Sequence, residues 1–467
     1  MTRPYPQNAP TPPLPAEDTV AAPRLGFAPN TLIILAAQGG RIILAVVLEI
    51  CYARLLGPAG RGLLTLSLVI IALASLVGGL GGEIPIVLWT ADDRKSPAGG
   101  VPLVYFCGLT ASGLVGILWV ITFYVWAPSF LRGITPHLAL IVLASIPLLM
   151  LLSYMSSTLT GAERFTERGG ILLGQQFVVI IVVVVLVLGF HGHTASALLA
   201  NSIGTLAALV AAAVLLRKTH ILLAPISFNK AGLRKGLSLG MRGQLGNLVS
   251  FFNYRLDVFV LNYFRSTTAV GIYSLGVIIS EALWQLANAA STALLPRTAR
   301  DPTGASSRFT CLVIRQVLVI TTAGAVVMGG LAPFVVPRVF GARFSGSVVA
   351  IWLLLPGTIA FAVGKVIAAD LAGRHRPEIG SLVAAISMVV TVVLDFLLIP
   401  SLGIRGAAIA SSVAYAFATF LGILMLHSVA HIKGRDLLPR WGDLAYYRRL
   451  AGQSKTLARQ LFGRQAA

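Results

Sequence analysis

Charge is scarce in this chain, and negative charge is scarcest. Asp, Glu, Lys and Arg make up 11% of its 467 residues, with 16 acids against 36 bases, where a soluble domain carries about 25% charged residues. Together with 56% hydrophobic residues, this excludes a water-soluble globular fold and leaves a bilayer as the solvent. Cysteine is equally sparse. Cys51, Cys107 and Cys311 fall in or at the ends of separate apolar segments, without the spacing of a disulfide framework or a thiolate metal site, and are expected to pack. The closest histidines, His191 and His193 in FHGHT, have no acidic or thiol neighbour and read as loop polar groups, so no metal and no cofactor is expected. No GxxxxGKS or GxxxxGKT loop occurs, which argues against direct ATP hydrolysis. No external connection is long, which argues against a membrane-embedded glycosyltransferase, ligase or polymerase, and therefore against an enzyme. The apolar stretches lack period-two alternation, which excludes an outer-membrane barrel.

What is present is apolar sequence in spans. Stretches long enough to cross about 30 Å of hydrocarbon run near 31–52, 62–90, 101–126, 137–160, 171–190 and 195–216, then near 236–264, 269–297, 309–333, 347–371, 379–400 and 404–428. The predicted fold is all-α and polytopic, with about twelve transmembrane helices in two six-helix bundles. The expected organisation is a disordered leader (1–30), an N-terminal bundle (31–220), a basic link (221–235), a C-terminal bundle (236–430) and a basic tail (431–467). An even helix count puts both termini on one side. That side carries 24 of the 36 basic residues and the other carries 7, which places the termini in the cytoplasm. The leader lacks the apolar core of a signal peptide, so the first helix is expected to act as an uncleaved anchor. In the tail, Tyr446, Leu450, Leu457 and Leu461 share a helical face opposite Arg448, Lys455 and Arg459, a pattern suited to the membrane surface or to a solvated tail. With the +20 net charge spread over short loops and this tail, anionic lipid is the expected partner and nucleic acid is not.

The two halves repeat. Gln38, Arg41 and Glu49 stand at the spacing of Gln244, Asn247 and Arg255, 206 residues later. GLLTLSLVII from Gly62 resembles GIYSLGVIIS from Gly271, LTGAER from Leu159 resembles LAGRHR from Leu371, and ASALLANS from Ala195 resembles RGAAIASS from Arg405. Each match uses common letters, and their collinear order is the stronger argument.

Ionisable groups inside spans are costly unless they face a partner or water, so they are the functional candidates. Gln38, Arg41 and Glu49 form one stripe on the first helix, and Gln244, Asn247 and Arg255 form one on the seventh. The eighth adds Glu281, Gln285 and Asn288 along one face. Facing each other across a pseudo-twofold axis, these stripes would line a cationic cavity with Arg41, Arg255 and Lys365 as substrate-binding residues and Gln38, Gln244, Asn247, Gln285 and Asn288 as its polar lining. The competing reading is charge pairing of Arg41 or Arg255 with Glu49, Glu83 or Glu281, and snorkelling of Lys365. Glu281 is the candidate for coupling to H⁺ or Na⁺, whereas Asp257, Asp370 and Asp395 are read as structural.

Several segments resemble a known family. ARLLGPAGRGLLTLS from Ala53, LRKGLSLGMRGQLGNLVSFFNYRLDVFVLNYF from Leu233 with AVGIYSLG from Ala269, and IPSLGIRGAAIASSVAYAF from Ile399 are similar to Wzx-like polysaccharide and oligosaccharide flippases of the multidrug/oligosaccharidyl-lipid/polysaccharide exporter superfamily. The resemblance implies a bacterial inner-membrane transporter. Its substrate would be a polyprenyl-pyrophosphate-linked glycan moved to the outer leaflet by alternating access, as in O-antigen biosynthesis. It would hold the headgroup on Arg41 and Arg255, with membrane lipids, a coupling H⁺ or Na⁺ and glycan-assembly proteins as candidate partners. A cation-coupled multidrug exporter of the same superfamily stays open as the alternative, with the polymerase or ligase reading behind it.

Overall fold

The computed structural model describes residues 27–91, 100–126, 131–189, 194–217, 230–300 and 304–440. The tail stripe, the His191/His193 pair and most of the leader and link therefore lie outside the described residues. Regular structure within them is helical throughout: α1 (Phe27–Gly78), α2 (Glu83–Ala91), α3 (Gly100–Trp126), α4 (Pro136–Gly161), α5 (Phe165–Val184), α6 (Thr194–Leu216), α7 (Lys230–Phe264), α8 (Thr267–Glu281), α9 (Trp284–Arg300), α10 (Gly304–Val335), α11 (Gly346–Gly373), α12 (Pro377–Leu402) and α13 (Ile404–Ala430). Nine are long and apolar enough to cross a membrane, and the α8–α9 pair, bent by 41°, makes a tenth crossing.

Two more crossings bring the total to the expected twelve. Helix α1 is 52 residues long and holds non-helical geometry at Gly57 (φ 66°, ψ −177°), with Pro58 following. Glu49 and Arg61, twelve residues apart, would be separated by roughly 18 Å along a straight helix, yet they form a 2.8 Å ion pair. The chain thus doubles back at Gly57, and α1 supplies the first two spans. The twelfth crossing is α7, 35 residues long and more polar than the other spans.

Two spans expected to be continuous are broken. The 62–90 stretch divides between α1 and α2 across residues 79–82, where Leu80 and Gly81 adopt positive φ. The 269–297 stretch divides between Glu281 and Trp284. These are the second crossings of the two halves, so the break itself is repeated. A second repeated feature is the end of α4 and α11. Glu163 (φ 57°) and His375 (φ 61°), 212 residues apart, both enter the left-handed region. The amides of Ala162, Glu163 and Arg164 bond Thr158, Thr160 and Leu159, and those of Arg374, His375 and Arg376 bond Asp370, Ala372 and Leu371. The LTGAER and LAGRHR match is thus one helix-ending motif used twice.

The halves meet where side chains are missing. A Cβ on Gly62 would fall 1.7 Å from the Thr267 carbonyl oxygen, and one on Gly271 would fall 1.9 Å from that of Pro58. Gly62 and Gly271 stand 209 residues apart, as do Pro58 and Thr267, so the crossing is symmetric. At the other end of these spans a Cβ on Gly81 would lie 2.1 Å from Gly240 O, and one on Gly240 2.7 Å from Gly81 O. Glycine lets backbones approach to this distance, and bilayer-embedded helices rely on such small residues to pack closely. The Gly271 crossing should therefore open on Gly271→Val. With the three native cysteines replaced by alanine, a Ser274→Cys reporter should react with a charged thiol reagent only in the valine background. Equal protection in both backgrounds would show that the glycine crossing does not hold this end shut.

Candidate functional site

Three cavities accompany the interface. One, of about 250 Å³, lies between the halves and is lined by Glu49, Thr65, Arg255, Asp257 and Ser274 among others. A second, of about 360 Å³, lies mainly in the N-terminal half and includes Glu83, Ser153, Ser156, Arg168 and Gln175, with Gln244 of α7 contributed by the other half. The third, of about 370 Å³, belongs to the C-terminal half and includes Asn253, Tyr254, Asn288, Phe361 and Lys365. The last two are repeat-related: Ser153 and Lys365 are 212 apart, as are Arg168 and Gly380, which also lines the third cavity.

Arg255 and Glu281 come together at the central cavity. The guanidinium donates from Nη1 to Oε1 and from Nη2 to Oε2, both at 3.0 Å, a bidentate pair. The charge-pairing alternative is the one realised for Arg255, and it commits the Glu281 carboxylate as well. Arg41 is exposed on the first leg of α1, makes no ion pair or hydrogen bond with a described residue, and lines none of these three cavities. The side chain of Gln38 lies outside the described residues. Gln244 lines the N-terminal cavity and donates to the Leu76 carbonyl. Asn247, exposed, donates to the Gln244 side-chain oxygen at 3.5 Å. Gln285 is exposed on α9, and Asn288 lines the C-terminal cavity.

Lys365 is placed differently from either arginine. Its ammonium lies 5.0 Å from the centroid of Trp284 and 5.2 Å from that of Phe361, and it has neither an ion pair nor a hydrogen bond to a described residue. Trp284 and Phe361 belong to a cluster with Tyr254 and Tyr415, whose rings meet edge-on or tilted at 4.8–6.5 Å between centroids. Aromatic faces hold a cation with modest energy and leave its protons free for a ligand. No carboxylate lines this cavity.

Two features were not singled out as functional by the sequence. Arg61, counted with the external loops, is 1% exposed and bridges the halves. It donates to Glu49 Oε2 (2.8 and 3.2 Å), to the Gly271 carbonyl (2.7 Å) and to Ser274 Oγ (2.6 Å). Asp395, read as structural, is fully buried, and neither carboxylate oxygen has a hydrogen-bond partner. The charge that acts on it is Asp257 of α7. One turn earlier on both helices, Thr391 donates to Asn253 Oδ1 at 2.8 Å, which sets α7 and α12 side by side. Asp257 accepts from Tyr273 (2.5 Å), from the Val258 amide (2.8 Å) and, at 3.4 Å, from Ser411. Among the described residues no group of three or more His, Cys, Asp or Glu gathers as a metal site.

Breaking a buried ion pair from one side leaves an uncompensated charge at a cost on the order of 3–5 kcal/mol. Arg61→Met should therefore lower the melting temperature in detergent strongly, and adding Glu49→Leu should recover part of the loss. A double variant as unstable as the single one would mean that the backbone and Ser274 contacts, and not the ion pair, carry the effect.

The geometry agrees with known transporters at the level of fold. The chain superimposes on a lipid II flippase MurJ in an inward closed conformation with a TM-score of 0.71 and 14% identity, covering 87% of this chain and 89% of that one. It also matches an inward-facing multidrug resistance MATE family transporter of the MOP superfamily (TM-score 0.64, 16% identity, 84% and 96% covered). A third match is the Vibrio cholerae MATE transporter VcmN in its bent form (TM-score 0.57, 13% identity, 86% and 97% covered). No curated protein sequence matches significantly. The family model for polysaccharide biosynthesis proteins matches residues 27–300, more than half of the chain. This chain belongs to the polysaccharide biosynthesis protein family.

Proposed function

We propose that the protein flips polyprenyl-pyrophosphate-linked oligosaccharide from the cytoplasmic to the outer leaflet of a bacterial inner membrane, by alternating access between two six-helix bundles (31–220 and 236–430). Both termini are cytoplasmic in this reading, and the chain acts as a transporter with no catalytic step. The supporting observation is Lys365: a cation beyond ion-pair distance of every described carboxylate, in a cavity that no acid lines, within a member of a polysaccharide biosynthesis family. A phosphate oxygen entering that cavity meets an ammonium whose protons are free, in surroundings of low effective dielectric. Arg255, neutralised by Glu281, holds the central cavity in shape and exchanges Glu281 for substrate only if the pair opens. Arg41, exposed and uncommitted, remains a candidate for first capture. The drug-exporter alternative favours cationic cargo and an acidic pocket, which the C-terminal cavity does not offer.

The coupling group favoured by the geometry is Asp395, with Asp257, in place of Glu281. A fully buried carboxylate with no partner is costly unless a proton or cation sits on it, whereas Glu281 is already bound to Arg255.

In a strain lacking the gene, lipid-linked glycan should accumulate where a membrane-impermeant glycan-modifying enzyme cannot reach it. The wild-type gene should reverse this and Lys365→Ala should not, with the variant protein inserted at normal level. Normal leaflet distribution in the deletion strain, with no second flippase present, would overturn the flippase reading. Separately, Asp395→Asn should remove the dependence of flipping on an imposed pH or Na⁺ gradient while Glu281→Gln retains it. An unchanged gradient response in Asp395→Asn would return the coupling role to another group.

A further inference from the structure

The cavity of the N-terminal half has no role in the reading above. It holds about 360 Å³, within the range of pockets that enclose small molecules. Its distinguishing group is Arg168 on α5. The Nε atom is buried without a hydrogen-bond partner, and the side chain forms no ion pair with a described residue, although Arg164 one turn earlier is paired with Glu167. A buried guanidinium donor left open in a cavity is a group waiting for an acceptor. The repeat sharpens the point. Where the C-terminal cavity has Lys365 the N-terminal one has Ser153, and where the N-terminal cavity has Arg168 the C-terminal one has Gly380. Each cavity thus carries an unpaired cation, brought in from a different wall.

The two cavities differ in one respect that decides what each can take. Glu83 lines the N-terminal cavity, where it accepts a hydrogen bond from Ser153, and no carboxylate lines the C-terminal one. A carboxylate repels a phosphate and accepts from hydroxyl groups. Ser156 of α4 and Gln175 of α5 add a hydroxyl and an amide to the lining. A donor that cannot lose its proton, a carboxylate acceptor and neutral polar groups suit a hydroxyl-rich ring. We propose that this cavity is a sugar subsite, in which Arg168 donates to ring or hydroxyl oxygens of the glycan and Glu83 accepts from its hydroxyls, while the diphosphate goes to Lys365. The proposal rests on the flippase reading.

The test uses the full chain in lipid nanodiscs and two probes: polyprenyl diphosphate with no sugar, and the same lipid carrying one N-acetylhexosamine. The wild type should bind the sugar-bearing lipid about tenfold more tightly or better, the gain expected of one charge-assisted hydrogen bond. Arg168→Gln and Glu83→Gln should each collapse that preference while the bare lipid still binds, and Arg168→Lys should keep part of it. Persistent binding of the bare lipid shows that the variants are folded. An unchanged preference in both glutamine variants would overturn the subsite and leave the flippase reading standing. Equal weakening of both lipids by Arg168→Gln would make Arg168 a phosphate ligand and overturn the division between the cavities. A wild type that binds neither lipid would overturn both readings together.

Discussion

The buried guanidinium of Arg61 is the contact on which the arrangement of the two halves turns. It sits one residue before Gly62, where two backbones cross with no room for a Cβ, and bonds a carbonyl and a hydroxyl of the opposite half. A charge at that depth needs a counter-charge, and Glu49 supplies it only because α1 folds back at Gly57. The hairpin, the ion pair and the glycine crossing therefore form one constraint. Any motion that separates the halves at this end must take Arg61 away from Gly271 and Ser274 while leaving it with Glu49, which travels in the same half. The charge stays compensated throughout, and what changes hands is a pair of hydrogen bonds to neutral groups. Such bonds contribute about 1 kcal/mol each in net terms, more with a charged donor. That is a scale compatible with an end that opens and closes.

The opposite end closes differently. Gly81 and Gly240 meet backbone to backbone, and Gln244 donates to the Leu76 carbonyl beside them. No charge is buried in that contact. The residues at the break in the second span serve two purposes here: positive φ at Leu80 and Gly81 ends one helix, and the turn so formed presents the carbonyl groups that face α7. Breaks in the second crossing of each half thus shape the contacts between the bundles as well as the bundles themselves.

Much of this was legible in the sequence, for identifiable reasons. Span length and apolar content mark the crossings, and the collinear repeat predicts that Gly62 and Gly271 are equivalent, though not that they touch. The pairing of Arg255 with Glu281 was available as an alternative to substrate contact, and spacing along one helix could not choose between them. The residues missed share a cause. Arg61 and Arg168 lie near the ends of spans, where a basic residue looks like part of a loop, and only the fold-back at Gly57 and the packing of α4 on α5 carry them inward. Asp395 lies four residues beyond Thr391 and looks like a helix-end acid. Its isolation follows from α7 and α12 lying side by side, which no local pattern in either helix specifies. The break at 79–82 was obscured because its glycines fall within an apolar run.

Helix α7 ties these sites together. Arg255 faces the central cavity and Glu281. Asp257, two residues on, also touches the central cavity and bonds Tyr273 and Ser411 of the C-terminal bundle, on the side of Asp395. Asn253, one turn before, lines the cavity of Lys365 and holds Thr391 of α12. A proton or cation arriving at Asp395 would alter the charge beside Asp257, and Asp257 is joined through one helix to the pair at the central cavity and to the wall of the cavity proposed to receive phosphate. The connection is a contiguous set of contacts on one helix, one of the physical forms in which two sites can be coupled. Because α7 also carries Gly240, the same helix bears one side of the closing contact. In the proposed cycle, loading the acid pair and releasing that contact would both act on α7, and a change in its tilt or register would link the two.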